Sequence, residues 1–248
     1  NNTAIAATQK PWVWLVNPDA FVKTDCLQTL LGEVSENNNV KAFSAELVSA
    51  NDHAQLDGQG DCYHISGLVW RRKHGQERSG RQSTLPMFSP CAASALYSRE
   101  AVLEVGGFDE DYFCYIEDVD LGFRLRLAGY DCLHVKDAIT YHVGSAITER
   151  DSDFSIYHGH RNLVWTYFKN MPTAKLWQCL PQHLLMNLVS IVYYSLKGRP
   201  GVILKAKWHA IKGLHSHIQK RKKPAQGTQS VVNFMAGGWL TPYRGRHD

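Results

Sequence analysis

The amino-acid sequence predicts an α/β fold that continues into a basic helical region. The apolar run at residues 12–16, stopped by Asn17-Pro18-Asp19, is typical of a buried strand that ends in a tight turn. Residues 24–34 then carry apolar side chains at helical spacing, and the apolar run at 42–48 predicts a second strand. Charge gives a third observation, because the longer N-terminal part is acidic and the remainder is basic.

The rest of the acidic part alternates short apolar runs with turns. The stretch 51–60 is polar and is predicted to be a loop. Glycines follow the predicted helices, at the positions where a helix commonly ends. The predicted elements, in order, are a strand at 65–70, a buried segment at 92–97, a short helix at 99–105, an amphipathic helix at 121–127, and strands at 133–135 and 139–142.

The second half has a different composition. Residues 1–153 carry a net charge of −9, whereas residues 154–248 carry +13 with Asp248 as their single acid. Such asymmetry predicts an anionic partner for the basic half. Helical patterns cover 154–169, 176–196 and 202–218, and the last 25 or so residues are predicted to be loosely ordered. We therefore divide the chain into 1–153, a helical extension at 154–219 and a tail at 220–248.

One apolar stretch in the extension bears on membranes. Residues 184–196 are mostly apolar but fall short of the roughly 20 residues that a spanning helix needs. An interfacial helix flanked by Lys and Arg, which anionic lipid attracts, fits the pattern. The alternative is a pair of core helices with a solvated basic face.

Composition and cysteine usage narrow the class of protein. Of 248 residues, 44% are hydrophobic and 20% are charged, which is a globular composition. The six cysteines include no C-x-x-C pair, which favours reduced thiols in a cytosolic protein. The sequence has no G-x-S-x-G, no Walker loop and no G-x-G-x-x-G, so nucleophilic catalysis and common nucleotide loops find little support.

The turn after the first strand is the first candidate site. Ligands bind at the carboxyl ends of strands in open α/β sheets, and a carboxylate such as that of Asp19 can hold a divalent cation that bridges a diphosphate. The alternative is that Asp19 only forms the turn.

The second candidate is the acidic segment at 109–120, where six carboxylates are interleaved with aromatic residues. Complementing the dipole of the following helix explains Asp118 and Asp120. It does not explain Glu117-Asp118 directly after the run Tyr112-Phe-Cys-Tyr-Ile116, where we expect partial burial. A carboxylate at an aromatic-lined helix start is well placed to act as a general base.

The third candidate is His142 in the segment 141–145, again at a strand end. A lone histidine is more often structural than a ligand. If His142 converges with Asp19, however, imidazole and carboxylate together suit a transition metal such as manganese.

Together these segments resemble glycosyltransferase family 2, in its rhamnosyltransferase-like branch. The resemblance covers about residues 3–215, and its most specific part is 90–146. The matching pieces are WVWLVNPDA (12–20), LDGQGDCYHISGLVWRRKHG (56–75), PCAASALYSREAVLEVGGFDEDYFCYIEDVDLGFRLRLAGYDCLHV (90–135), AITYHVGSA (138–146) and HGHRNLVWTYFKNMP (158–172).

The resemblance implies a GT-A fold, a Rossmann-like mixed sheet flanked by helices, and a role for each candidate residue. Asp19 would be the metal-binding carboxylate, with Asn17 in place of the first acid of the family's D-x-D motif. Asp118 would be the base that deprotonates the acceptor, with Glu117 as its neighbour in the E-D pair. His142 lies where some relatives supply a second metal ligand, and the cation would be Mg or Mn.

The implied reaction is transfer of a sugar from a nucleotide-diphosphate sugar, with inversion, during synthesis of cell-surface polysaccharide. The branch suggests dTDP-rhamnose as donor and a glycan or lipid-linked acceptor. We expect the chain to lack the first strand–helix units, which bind the nucleoside, since its first ten residues correspond to the end of that region. A catalytically silent domain that serves as a scaffold is therefore the alternative.

The basic half leads to two further expectations. Nucleic-acid binding is disfavoured, because the basic residues accompany long Leu, Val and Ile runs rather than exposed aromatics. An anionic membrane surface is the expected partner, which would place the protein in the cytoplasm, peripherally on the inner face of the cell membrane.

Overall fold

The computed structural model describes residues 1–78, 84–144, 152–239 and 241. Its strands, in chain order, are β1 (Trp12–Val16), β2 (Ala20–Val22), β3 (Val40–Ser49), β4 (Leu56–Gly58), β5 (Asp61–Tyr63), β6 (Val69–Arg71), β7 (Leu85–Pro86), β8 (Ser94–Ser98) and β9 (Asp131–His142). Its α-helices are α1 (Asn2–Ala7), α2 (Cys26–Glu36), α3 (Arg99–Glu104), α4 (Glu117–Leu127), α5 (Asp153–Asn170), α6 (Thr173–Leu196), α7 (Pro200–Gln219) and α8 (Thr228–Val232).

A mixed sheet organises the acidic part of the chain. Its strands lie in the order β1-β8-β3-β9-β2, with β4 added beside β3 and β7 beside β9. The pair β3–β9 is parallel, whereas the other pairs in this sheet are antiparallel. Apart from Lys41 and Ser49, the residues of β3 are buried, because β3 lies between β8 and β9 and has packed layers on both faces. The predicted α/β architecture is confirmed.

Helices cover both faces of the sheet. On one face α3 and α4 pack through Val102, Leu121 and Leu125 against the strands. On the other face α2 packs through Cys26 and Leu30. The sheet is thus the middle of three layers, and its strand ends are left open at the edges, where a site can form.

The structure departs from the predicted elements in three places. The expected strands at 133–135 and 139–142 are one strand, β9, whose pairing with β3 shifts register between Ala45 and Glu46. The expected strand at 65–70 is confined to β6, because a turn occupies the residues before it. The expected loop at 51–60 contains β4, which is fully buried.

The basic half packs onto the acidic half. Helix α5 lies between α4 and α7, and α6 packs against α7. Within the described ranges, none of the helices has the length and apolar character that crossing a bilayer requires. The division at 153 and 219 stays a prediction. Helix α8 lies in the expected tail, of which residues 240 and 242–248 are outside the described residues.

Candidate active site

The turn after β1 is held beside the end of β9. The Asn17 N–H donates to the carbonyl of Ala93 (3.0 Å), and β2 then starts with Ala20 paired to His142. This register places Oδ1 of Asp19 3.3 Å from Nε2 of His142. The structure therefore brings together the two predicted metal ligands, which are far apart in the sequence. Ser145, the last residue of the predicted His142 segment, lies outside the described residues.

The second ring nitrogen of His142 contacts Asp57, a residue for which the sequence predicted no role. Nδ1 of His142 lies 2.8 Å from Oδ2 of Asp57, which Arg71 also contacts at 3.1 Å. Burial opposes ionisation, yet hydrogen bonds from His142 and His74 and the charge of Arg71 lower the pKa of Asp57 well below its usual range. Asp57 is thus an anchored anion that orients the imidazole.

The remaining nitrogen of His142 fits a cation ligand. Nε2 is buried and makes no hydrogen bond within the described part of the chain. With a proton on Nδ1 for Asp57, Nε2 offers a lone pair toward the carboxylate of Asp19. A divalent cation can bind between two such electron-rich atoms. Metal-binding histidines commonly donate their other ring N–H to a carboxylate, as His142 does to Asp57. Asp19 and His142 therefore fit the cation that the resemblance implies.

The predicted general base lies at the start of α4. The side chain of Asp118 is fixed by two backbone donors, because Val119 N–H donates to Oδ1 (2.8 Å) and Ala92 N–H donates to Oδ2 (3.1 Å). Each oxygen keeps further acceptor capacity. Asp118 can thus receive a proton from a hydroxyl group held in the cleft in front of it.

Glu117, the neighbour of Asp118, lies in a different environment. Its Oε2 is buried and has no hydrogen-bond partner among the described residues. Burial, followed by the charge of Asp118, raises the pKa of Glu117 to about 8. Glu117 is therefore mostly protonated at neutral pH.

Arg71 and Asp61 are two further polar residues of the same site. Nε of Arg71 lies 3.5 Å from Oδ1 of Asp61. Burial raises the pKa of Asp61 to about 7 against the opposing charge of Arg71. Gly58 makes this arrangement possible, because a Cβ there would overlap the side chain of Arg71. The spaced aspartates and glycines of LDGQGD (56–61) were the available signal, but the sequence does not show that they are buried.

The candidate residues share one cleft of about 830 Å³. Its lining includes all five predicted site residues, Asn17, Asp19, Glu117, Asp118 and His142. The side chains of Asp61, Cys91 and Asp118 also approach within 4.8 Å of one another. A thiol is a soft ligand that does not suit Mg or Mn, so the pair Asp19–His142 is the better candidate for a hard divalent cation. The roles of these residues stay predictions.

The fold is that of GT-A glycosyltransferases. The crystal structure of GalNAc-T7 with UDP, GalNAc and Mn²⁺ aligns with a TM-score of 0.51 at 11% identity, over 68% of this chain and 33% of that one. A mannosyltransferase from Pyrobaculum calidifontis, in complex with GDP-Man and Mn²⁺, aligns over 93% of this chain and 63% of its own, with a TM-score of 0.46 at 14% identity.

Residues 12–196 match the model of glycosyl transferase family group 2, and the chain belongs to this family. Two curated relatives, from Mycobacterium tuberculosis strains CDC 1551 and H37Rv, are each 38% identical over 163 residues, or 61% of this chain. Both are named N-acetylglucosaminyl-diphospho-decaprenol L-rhamnosyltransferase. The chain spans 53% of the length of these relatives. The resemblance found in the sequence is thereby confirmed.

Proposed function

We propose that this protein transfers a sugar from a nucleotide-diphosphate sugar to a hydroxyl of a lipid-linked glycan acceptor, with inversion at the anomeric carbon. The observation that carries the proposal is that Asp118 and the pair Asp19–His142 line the same cleft. Membership in the family supports the reaction class. The names of the curated relatives support L-rhamnose as the transferred sugar and an N-acetylglucosaminyl diphosphate lipid as acceptor. The resemblance to the rhamnosyltransferase-like branch suggests dTDP as the nucleotide of the donor.

Asp118 acts as the general base in this reaction. It accepts the proton of the acceptor hydroxyl as the acceptor oxygen attacks the anomeric carbon. The bond from that carbon to the diphosphate breaks on the opposite face, so the configuration inverts and the nucleoside diphosphate leaves. Glu117 stays protonated beside Asp118 at neutral pH and does not compete for the proton.

Asp19 and His142 hold a divalent cation, Mg or Mn, at the donor end of the cleft. When bound, such a cation neutralises the charge that develops on the leaving diphosphate. Asn17 lies in the same turn and lines the same cleft. Asp57 keeps the imidazole of His142 in the orientation that this role requires.

The reaction takes place in the cytoplasm, at the inner face of the cell membrane, as a step in cell-surface polysaccharide synthesis. A lipid-linked acceptor of the kind named for the relatives would be presented there. All six cysteines lie in the described part of the chain, and no disulfide joins any two of them there, which is consistent with a reducing compartment.

The variant Asp118→Asn, made in the full-length enzyme, tests the proposal. We expect turnover to fall by about 10²–10⁴-fold with donor affinity largely kept, because the amide cannot accept the proton. The measurement is formation of the rhamnosylated lipid and release of dTDP. Asp137→Asn is the matched control, since Asp137 is an exposed aspartate on β9.

Two outcomes count against the proposal. Near-normal turnover of Asp118→Asn would remove Asp118 from the mechanism. A folded, unsubstituted protein that transfers no sugar with any nucleotide-diphosphate donor would support the alternative, a silent domain acting as a scaffold.

A further inference from the structure

We propose that the exposed apolar faces of α6 and α7 lie on the surface of an anionic lipid bilayer and present the cleft to a lipid-linked acceptor. The acceptor part of this inference rests on the proposed function, whereas the membrane surface itself is argued from the two helices. We call these exposed side chains the α6–α7 face.

Helix α6 exposes only apolar side chains over its last four turns. The exposed positions from residue 181 onward recur every three or four residues, as one face of a helix does. Leu188 is 59% exposed and Leu196 is 84% exposed. The exposed set is Pro181, Leu184, Leu185, Leu188, Val189, Val192, Tyr193 and Leu196. A cluster of this kind on a folded surface marks an interaction site.

Helix α7 follows after a short turn and has a stripe of the same kind. Leu204, Trp208 and Ile211 are each more than half exposed, and their spacing places them on one side of the helix. Lys205 and Lys212 are exposed beside this stripe. An apolar stripe with tryptophan and flanking lysines is typical of helices that lie in a membrane interface.

The charges of the α6–α7 face identify its partner. Residues 173–219 contain no carboxylate, so both helices are purely basic. Nζ of Lys197 lies 4.7 Å from the ring centre of Tyr193, and Nζ of Lys212 lies 5.1 Å from that of Trp208. Basic groups alongside interfacial aromatics match anionic headgroups above an apolar layer. A second copy of this chain would oppose like charges, so an anionic bilayer is the better occupant.

The α6–α7 face adjoins the wall of the cleft. Nη1 of Arg199, in the turn between α6 and α7, lies 2.7 Å from Oδ1 of Asp153 at the start of α5. The next residue, Phe154, lines the cleft and contacts the ring of Tyr115. Docking of α6 and α7 on a bilayer would therefore bring the Phe154 side of the cleft close to the lipid surface.

Co-sedimentation of the chain with vesicles tests the inference. The vesicles are phosphatidylcholine alone or phosphatidylcholine with phosphatidylglycerol, at low and high salt. We expect binding to the anionic vesicles at low salt, weakened by high salt. Leu188→Glu should reduce this binding by about tenfold or more, since it places a negative charge in the apolar face. The matched control is Leu103→Glu, an exposed leucine on α3, which should bind normally.

A second variant guards against misfolding. Lys205→Glu with Lys212→Glu leaves the apolar residues in place and should lose the salt-sensitive binding, with an unchanged circular dichroism spectrum. The inference is overturned if the unsubstituted chain ignores anionic vesicles, or if Leu188→Glu and Leu103→Glu bind equally. A dimer in sedimentation that Leu188→Glu dissociates, without vesicle binding, would assign the face to a second copy.

The outcome is separable from that of the proposed function. Vesicle binding needs no sugar nucleotide, so an inactive transferase can still bind. If the proposed function holds, Leu188→Glu should reduce transfer to an acceptor embedded in vesicles and leave transfer to a detergent-solubilised acceptor unchanged. Equal loss in both assays would contradict the membrane role.

Discussion

His142 uses its two ring nitrogens for different purposes. Nδ1 contacts the buried carboxylate of Asp57, and Nε2 faces Asp19 without a hydrogen bond in the described part of the chain. A carboxylate behind a histidine raises the basicity of the opposite nitrogen and fixes its direction. If Asp19 and His142 hold a cation as proposed, the charge of Asp57 would support its binding through the imidazole of His142.

Asp57→Asn tests this relation. We expect the affinity for Mn²⁺ to fall by about 10–100-fold, because the neutral amide no longer supports the imidazole. Isothermal titration calorimetry measures the affinity, and Asp52→Asn is the control because Asp52 is exposed in the preceding loop. Equal affinity in the two variants would show that Asp57 does not support cation binding.

The sequence predicted part of this site. Asp19 and His142 were identifiable because each follows an apolar run that ends at a sheet edge, and such edges converge in α/β folds. Asp57 was not, because 51–60 reads as a polar loop. The interaction partners of Asp57 are Arg71, His74 and His142, all of which lie outside residues 51–60. A local sequence pattern does not contain such partners.

At the scale of elements, the segment before α4 is held in an unusual conformation by α5. Phe113, Tyr115 and Ile116 all have positive φ angles, of 62°, 64° and 69°. Each such residue costs of order 1–3 kcal/mol and persists only where its surroundings enforce the conformation. Nδ2 of Asn162, which is fully buried in α5, lies 2.7–3.0 Å from the carbonyls of Tyr112, Cys114 and Tyr115. Asn162 is a positioning residue for the start of α4.

Asn162→Ala should therefore lower kcat by about tenfold and change the donor KM little. The reason is that Glu117 and Asp118, at the start of α4, are then no longer held in one fixed position. Loss of these hydrogen bonds should also lower the free energy of unfolding by about 1–3 kcal/mol. Steady-state kinetics and chemical denaturation measure the two effects.

Asn170→Ala separates the positioning role from general loss of stability. Asn170 is another buried asparagine of α5, but it donates to Asp120 rather than to the strained segment. It should lower stability similarly and leave kcat nearly unchanged. Similar kcat losses in both variants would show that Asn162 acts only through stability.

Helix α4 shows where a pattern can mislead. The sequence predicted an amphipathic helix at 121–127, yet every residue from Val119 to Leu127 is buried. Arg124 is neutralised by Asp120 (2.8 Å), and Asp120 is also paired with Lys169 from α5. A charged residue in a helix normally indicates a solvated face, and only the tertiary structure shows that these charges satisfy each other.

At the scale of the whole molecule, part of the charge asymmetry is neutralised internally. Lys169 and Lys220 of the basic half lie 2.6 and 2.7 Å from the carboxylate of Asp109, and Lys220 also pairs with Asp111 at 2.8 Å. The opposite charges of the two halves thus help to dock α5 and the end of α7 onto the acidic segment. The charge asymmetry between the two halves predicted an anionic partner for the basic half, and one such partner is the acidic segment of the chain itself.

The junction of α5, α6 and α7 encloses a buried lysine. Nζ of Lys207 lies 3.2 Å from the carbonyl of His160, and burial lowers the pKa of Lys207 to about 7. His160 and His183 face the same lysine from α5 and α6, and its charge contributes to their lowered pKa values. Protonation of the buried Lys207 therefore destabilises the folded state.

Lys207→Met should remove one component of the pH dependence of stability. Between about pH 7 and pH 10.5 the unfolded chain binds a proton that folded Lys207 has released, so this group makes stability rise with pH in that window. Below pH 7 both states are protonated and the contribution is constant. The stability advantage of Lys207→Met should therefore shrink above pH 7, by at most about 1.4 kcal/mol per pH unit.

Urea denaturation at several pH values measures this change. Lys205→Met is the control, because Lys205 is exposed on the same helix. An advantage of Lys207→Met that is constant from pH 7 to pH 9 would mean that Lys207 does not titrate in this range.

The position of β3 has a consequence for biosynthesis. Both of its main neighbours in the sheet, β8 and β9, come later in the chain, starting at residues 94 and 131. At about 5–20 residues per second, a ribosome takes on the order of 4–16 s to move from the end of β3 to the start of β9. During that interval the apolar strand has an unpaired edge, which is the kind of segment that nascent-chain chaperones bind and that aggregates when they are scarce.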